Sequence, residues 1–461
     1  MKPLSSSPEY KAYGVEWLGH IPQYWKAIRL KWLVSKIGSG KTPRGGAQIY
    51  TDSGVLFLRS QNVHFDGLRL DDVAYIDSTI DEDMATTRVR SGDVLLNITG
   101  ASLGRCCTVP DGFPPSNVSQ HVCIIRPQRQ HVEARFLSNS LASRPVQAQV
   151  FADEVGTSRE GLAFDQVSNL LVALPADLNE QRAIADFLDR ETSRIDVLVA
   201  KKERLIELLQ EKRTALISHA VTKGLNLNVP LKDSGVEWLG QIPAHWEVIH
   251  LKRSLRATDY GISDSTNDSG RFKVLTMGNI QSGELNFDGV GFVNSVPKEL
   301  LLETDDLLFN RTNSLELVGK VAIFRGHSND EVTFASYLVR LRVNHRARPE
   351  FMNYLLNCEG LLGVSRSIAF LSINQANLNP NRYGFLRIAL PPVDEQAAIA
   401  HHLDRETAKL DALIAKVRTA IERLREYRTA LISAAVTGKI DVRQPSASAS
   451  EVNMLVSRPR A

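Results

Sequence analysis

Cysteine is scarce: Cys106, Cys107, Cys123 and Cys358 are the only four in 461 residues, and none forms a C-x-x-C. That spacing suits neither a zinc site nor a disulfide framework, and it points to a reducing cytoplasm. No apolar run approaches the roughly 18 residues of a membrane-spanning helix. The opening stretch MKPLSSSPEYKAYG has no apolar core, so it reads as no signal peptide. An excess of one charge is missing too: 55 Lys+Arg against 52 Asp+Glu leave a formal net charge of +3. Residues 24–175 hold 16 basic and 15 acidic side chains, and residues 245–391 hold the same numbers. Most nucleic-acid binders show a stronger basic excess, so composition alone does not place this chain among them. Any basic surface must be a local patch. Candidates are Lys26, Arg29, Lys31, Lys36, Lys41 and Arg44, or Arg340, Arg342, Arg346 and Arg348. Taken alone, such runs read more readily as solvated faces.

Catalytic signatures are equally sparse. GSGKTP (38–43) resembles a phosphate-binding loop, but Ser35 stands where that motif needs glycine, and Pro43 opposes the helix that would cradle the phosphate. The only E-x-K, Glu9–Lys11, has no preceding acidic partner for a nuclease site. No G-x-G-x-x-G follows a strand. His401 and His402 have no ligand partner at helical spacing and read as solvent or interface histidines. The chain reads as a binder with no catalytic or metal centre of its own.

What is present is a repeat. Residues 180–222 and 395–437, aligned without gaps at an offset of 215, match at 27 of 43 positions. Neither copy contains Pro or Gly, and good helix formers dominate both. Apolar residues recur at 3–4 spacing. One stripe is Ile195, Leu198, Lys202, Leu205, Leu209, Lys212 and Leu216; the other is Leu410, Leu413, Val417, Ala420, Leu424, Tyr427 and Leu431. This heptad seam predicts a coiled coil between the copies about a pseudo-twofold axis, with the two lysines weakening the first seam. About 30 residues at 1.5 Å each would make a spacer of roughly 45 Å. Two core helices of separate domains are the alternative.

The repeat extends beyond the helix. YGVEWLGHIPQYWKAIRLK (13–31) recurs as SGVEWLGQIPAHWEVIHLK (234–252). Between each lead-in and its helix lies a module of about 150 residues in which short β-rich runs alternate with turns, followed by short helices. VLTMGNI (274–280) matches FLRSQNV (57–63), and SYLVRLR (336–342) matches QHVCIIR (120–126). The fold class expected is α+β (mixed): two globular α/β modules separated by two long helices. The expected divisions are an arm and lead-in at 1–23, module one at 24–178, helix one at 179–223, a linker and lead-in at 224–244, module two at 245–393, helix two at 394–440, and a disordered tail at 441–461. Helices and lead-ins are nearly identical between the halves, whereas the modules keep their strand pattern and change their polar residues. Two readers on a pseudo-symmetric mount suit two half-sites on one face of DNA, where major grooves recur every ~34–36 Å.

These stretches resemble the specificity subunit of type I restriction–modification systems. GVEWLGxIPxxW precedes each module, LPxxxxEQxxIAxxLDRET leads into each helix, and RTALISxAVTGKI closes the second copy at Arg428–Ile440. GSGKTP, RSQNV, LLNITGASLGR, VSQHVCIIRP and GTSREGL resemble that family's target recognition domain. The combination is specific and spans residues 13 to about 443. The resemblance implies an antiparallel coiled coil, a bipartite DNA target with a non-specific gap, and two docked methyltransferase subunits that methylate adenine with S-adenosylmethionine. It further implies motor–nuclease subunits that use ATP and magnesium, with no cofactor on this chain itself.

Side chains suited to phosphates and base edges at loop tips are the reading candidates. In module one they are Lys41, Arg44, Arg59, Gln61 and Asn62, then Thr99, Arg105, Gln120, His121, Ser158 and Arg159. In module two they are Asn279, Asn310, Arg311, Thr312 and Asn313, then Lys320, Tyr337, Asn374 and Gln375. Ser158-Arg159-Glu160 becomes Asn374-Gln375-Ala376, which predicts unlike half-sites. Two rival functions stay open: a specificity factor for methylation-based phage exclusion without a dedicated nuclease, and a scaffold that binds no DNA.

Overall fold

The computed structural model describes residues 9–12, 17–43, 45, 49–152, 161–326, 331–373 and 375–442. Two long helices dominate: α1, Leu178–Lys223, and α2, Val393–Val436. The described chain divides into two compact units. One holds residues 1–202 and 419–461, the other residues 203–418. Each unit therefore contains one module, the start of one long helix and the end of the other.

The repeated motifs explain how each unit closes. In the first, the Lys26–Arg29 strand pairs antiparallel with Leu171–Leu174, and buried Trp25 follows the lead-in. Trp25 Nε1 (3.2 Å) and Tyr24 Oη (2.8 Å) both donate to the Glu180 carboxylate at the start of α1. Gln181 is buried and latches three backbone groups: it accepts from the Glu133 N–H and donates to the carbonyls of His131 and Pro175. The second unit repeats this. Trp246 Nε1 donates to Glu395 (3.1 Å), His245 Nε2 lies 2.8 Å from the same carboxylate, and Gln396 binds the Arg348 N–H and the carbonyls of Arg346 and Pro391. The EQ pair and the tryptophan are thus a structural clasp, and burying every polar group with a partner is what makes it stable.

The helix ends complete the cores. Leu431, Ile432, Ala435 and Val436 pack with Leu18, Ile21, Trp25, Ile184 and Leu188. Ile217, Ala220 and Val221 pack with Leu239, Ile242, Trp246, Ile399 and Leu403. Each helix stops at a left-handed glycine, Gly224 (φ +73°) or Gly438 (φ +71°). A Cβ at Gly438 would lie 2.4 Å from Pro22 Cγ, so only glycine fits against the lead-in there.

The helices run antiparallel within each unit. Arg428 Nε meets Asp196 Oδ1 at 3.0 Å in the first, and Arg213 Nε meets Asp411 Oδ1 at 3.1 Å in the second. The packed face differs from the stripe read off the sequence. Ile195, Leu209, Val417 and Leu431 are buried and Leu216, Leu410 and Leu424 half-buried, but Leu198, Leu205 and Leu413 are exposed. Val199, Ile206 and Ile414 take their places, and Arg213 rather than Lys212 turns inward. Both helices carry apolar residues at adjacent positions there, so spacing alone admits two stripes. Because the helix ends are anchored in the module cores, a straight helix has only one face to offer.

Each module is a four-stranded sheet beside a three-stranded one. The first uses β1 (Val34–Ser39), β2 (Val94–Asn97), β3 (Cys106–Thr108) and β4 (Val122–Pro127) in the order β3-β2-β4-β1, all antiparallel. The second uses β5 (Leu255–Tyr260), β6 (Leu307–Asn310), β7 (Val321–Ile323) and β8 (Leu338–Val343) in the order β5-β8-β6-β7. In each smaller sheet the central strand, Val55–Leu58 or Phe272–Leu275, has one parallel and one antiparallel neighbour. Tyr10–Ala12, read as part of an arm, instead pairs with His20–Pro22; within the tail, residues 443–461 lie outside the described residues.

Candidate nucleic-acid interface

Strand register brings distant candidates together. In module one Asn97 lies opposite Val122, Ser39 opposite Cys123, and Leu96 opposite Cys106. The outgoing ends of β1 and β2 and the incoming ends of β3 and β4 therefore share one end of the sheet. Lys41, Thr99, Arg105, Gln120 and His121 all leave from it. The Val55–Leu58 strand delivers Arg59 and Gln61 to the same end, because the Ser119 N–H donates to the Leu58 carbonyl (2.9 Å).

Module two repeats the arrangement. Asn310 lies opposite Leu338, Tyr260 opposite Val339, and Phe309 opposite Val321. Arg311, Thr312, Asn313, Lys320 and Tyr337 emerge at that end. Backbone bonds confirm the correspondence: the Asn97 N–H donates to Arg105 O and the Asn310 N–H to Lys320 O, both at 2.8 Å. Likewise Ile98 N donates to His121 O and Arg311 N to Tyr337 O, both at 3.0 Å. Arg105 thus corresponds to Lys320 and His121 to Tyr337.

Glycine at position 40 belongs to this end, not to a phosphate loop. A Cβ there would lie 1.6 Å from the Val118 carbonyl oxygen, and at Gly261 it would lie 2.2 Å from that of Phe334. The GSG of the look-alike motif answers a close strand crossing.

Several candidates are available at the surface. Gln120, His121, Tyr337, Gln375 and Lys41 are exposed. Thr99 Oγ1 lies 2.6 Å from His121 Nδ1, and Gln120 Nε2 lies 3.3 Å from His121 Nε2, so this trio is mutually oriented. Arg59 is half-buried, donates to the Asp72 carbonyl (2.9 Å), and sits 5.6 Å from the Tyr50 ring centre; Gln61 also binds Asp72. Arg311 lies 5.4 Å from the ring centre of Tyr260. Asn313, Arg105 and Lys320 are half-buried.

Four candidates serve the fold instead. Asn62 is buried: its Oδ1 accepts from the Arg59 N–H (2.9 Å), and its Nδ2 donates to the carbonyls of Arg69 and Asp72. Asn279 does the same with Thr276, Asn286 and Asp288. Asn310 is buried with its amide on the Met277 carbonyl, as Asn97 is on that of Ser60. Thr312 is buried and bonded to Asn377 Oδ1 (2.9 Å). A short amide that satisfies a tight turn is chemically the same group as one that reads a base, so sequence does not separate the roles. Arg44, Ser158, Arg159 and Asn374 lie outside the described residues.

The basic run at 340–348 is not a patch. Buried Arg340 bonds Asp259 (2.7 Å) and the carbonyls of Glu299 and Leu301. Arg342 grips buried Asp306 at 2.6 and 3.0 Å, as Arg126 grips Asp93 in module one at 2.7 and 2.8 Å. Arg346 pairs with Glu247. In the other run, Arg29 and Lys31 hold Asn169, and Lys36 donates to the Thr86 carbonyl. At this end sequence reading missed the exposed Tyr260, whose ring faces Arg311.

Comparison with known proteins bears out the resemblance. Residues 246–423 match the Type I restriction modification DNA specificity domain. The chain is 24% identical over 270 residues to the type I restriction enzyme EcoKI specificity subunit of Escherichia coli K12, covering 57% of this chain and 56% of that one. It is 29% identical over 200 residues to the putative MjaX specificity subunit of Methanocaldococcus jannaschii, covering 42% and 46%. The chain thus spans about half the length of these two relatives. A chain of a type I R-M system solved for its complex assembly and conformational transition aligns over 91% of this chain and 99% of its own, at a TM-score of 0.69 and 17% identity. The HsdS subunit from Thermoanaerobacter tengcongensis aligns over 91% and 98%, at 0.52 and 17%. These likenesses establish the fold. No helix among the described residues is long and apolar enough to cross a membrane.

Proposed function

We infer that this chain, similar in sequence and fold to type I restriction–modification specificity subunits, is the non-catalytic subunit that chooses the DNA target of such a complex. The observation that carries the reading is the duplicated convergence of polar loop tips at one end of each module's sheet, with Arg105 matched by Lys320 and His121 by Tyr337. Each module reads one half-site of a bipartite target, and the helix pair sets the gap between them. Different residues at matched positions make the half-sites unlike. His121 can donate to or accept from a base edge, whereas Tyr337 offers a phenol and a broad apolar ring.

The catalytic work belongs to partners. Two methyltransferase subunits carry S-adenosylmethionine, and motor–nuclease subunits carry ATP and magnesium. The setting is cytoplasmic, where the genome is the substrate.

The test is to co-express the chain with its adjacent methyltransferase subunit and map adenine methylation across a host genome. A motif of two unlike half-sites with a fixed gap supports the reading. A continuous motif overturns the two-reader geometry. Absence of methylation from a complex shown to be assembled overturns the DNA-specificity reading in favour of a scaffold. Binding in vitro must also weaken steeply with salt, since each phosphate neutralised adds about 0.9 to the log–log slope.

A further inference from the structure

The strands Phe370–Ser372 and Gln375–Asn377 form a hairpin, with Ser372 opposite Gln375. It is laid on Thr312–Asn313. The anchoring is firm: the Leu378 N–H donates to the Arg311 carbonyl (2.8 Å), Thr312 Oγ1 bonds Asn377 Oδ1, and Ala376 and Leu378 are buried. The Thr312 N–H in turn donates to the Tyr337 carbonyl (3.2 Å). The hairpin is therefore an extension of the reading end of module two.

Its outer surface is apolar. Phe370 is 73% exposed, Leu371 60% and Ile373 90%, so neighbouring residues that point to opposite faces of the strand are both bare. Phe370 also shares a groove of about 580 Å³ with Ile368, Arg382 and Phe385, the last 55% exposed. A contiguous apolar patch of this kind marks a contact surface. The charges beside it favour a polyanion. Arg382 lines the groove, Lys252 Nζ stands 3.6 Å over the Phe385 ring, and no carboxylate lines the groove among the described residues.

Resting on the DNA-reading function above, we propose that this hairpin is an apolar wedge that enters the half-site of module two at a single base step. Ile373 and Phe370 take the place of a stacking neighbour, while Arg382 and Lys252 hold the flanking phosphates. Proteins that insert Phe, Leu or Ile between bases unstack the step and bend the duplex. The wedge is confined to one half-site, because Thr157 of the polar GTSREG stretch aligns with Ile373. Target deformation is therefore one-sided, and the sequence of the wedged step contributes specificity through its stacking energy.

The test uses the full chain in complex with its methyltransferase partner, without S-adenosylmethionine, on its mapped target. 2-Aminopurine is placed singly at each position except the methylated adenine. The expected result is a several-fold fluorescence rise at one step in one half-site. Ile373→Ser and Phe370→Ser abolish the rise and weaken binding about tenfold, whereas Ile373→Leu retains both. Unchanged thermal unfolding of Ile373→Ser shows that the fold survives. Target binding with no bright position, or an equal rise in Ile373→Ser, overturns the wedge and leaves the DNA-reading function standing. Loss of methyltransferase capture in Ile373→Ser, with the rise intact, assigns the patch to a protein partner and overturns the wedge. Failure of the wild-type complex to bind any DNA overturns both.

Discussion

Asp196 and Arg428 stand 232 positions apart in the chain and meet at 3.0 Å. The repeat offset of 215 turns Asp196 into Asp411 and Arg213 into Arg428. The second ion pair, Arg213 with Asp411, is therefore the symmetry mate of the first: in each, the aspartate of one copy binds the arginine of the other.

These pairs are partly exposed, so their contribution is modest. A double-mutant cycle on Asp196→Ala and Arg428→Ala, read by urea unfolding, is expected to give a coupling of about 0.5 kcal/mol, falling with added salt. The same cycle at Asp411 and Arg213 should agree with it. A coupling confined to one pair would break the symmetry.

The turn asparagines and the exposed candidates are separable by stability. Asn62→Ala strands the Arg59 N–H and the Arg69 carbonyl. It should cost roughly 1–3 kcal/mol, and Asn279→Ala a similar amount. His121→Ala and Tyr337→Ala remove exposed side chains, so unfolding should stay within about 0.5 kcal/mol while DNA affinity falls. Thermal melts alongside a binding titration distinguish the two sets.

Arg342 supplies a sharper contrast. Arg342→Ala removes both guanidinium hydrogen bonds from the buried Asp306 carboxylate, leaving it the Glu303 N–H and Arg340 at 3.8 Å, and such a loss costs about 3 kcal/mol. Arg126→Ala removes the matching pair of bonds from Asp93. Either variant should lower the unfolding midpoint, whereas loss of DNA affinity in a fully stable protein would show these arginines to be phosphate ligands.

Burial pushes the thiols of Cys107 and Cys123 up to about 12 and that of Cys358 to about 11, and it raises Cys106 as well. All four are free and buried. The native protein should resist a thiol reagent at neutral pH and react fourfold only on unfolding. Since the folded thiols hold their protons more tightly than the unfolded ones, their contribution to stability is complete below about pH 9 and declines as pH rises toward 12. A urea midpoint that rose between pH 9 and 11 would contradict this.

Some of the fold was legible before any coordinates. A 27-in-43 repeat free of Pro and Gly dictates two matching helices, and alternating runs between turn residues dictate sheet-based modules. The candidate site was legible only in part. Polar loop tips were visible as residues, but Asn62 and Gln61 are adjacent and chemically alike, and only the first is consumed by a turn. Arg340 looked like surface charge because its partner Asp259 lies 81 positions away.

The sequence by itself determined periodicity, repeat and the motifs at each helix boundary, because these rest on local propensity and on side chains spaced within a turn or two. Tertiary structure decided the rest. It selected Val199, Ile206 and Ile414 over Leu198, Leu205 and Leu413 for the seam, since anchored helix ends leave one face inward. It also completed the first unit with the end of the second helix, residues 419–442, because burying Trp25 requires Leu431, Ala435 and Val436 from the far end of the chain. Burial and pairing across hundreds of residues are properties of the folded chain, and no local pattern encodes them.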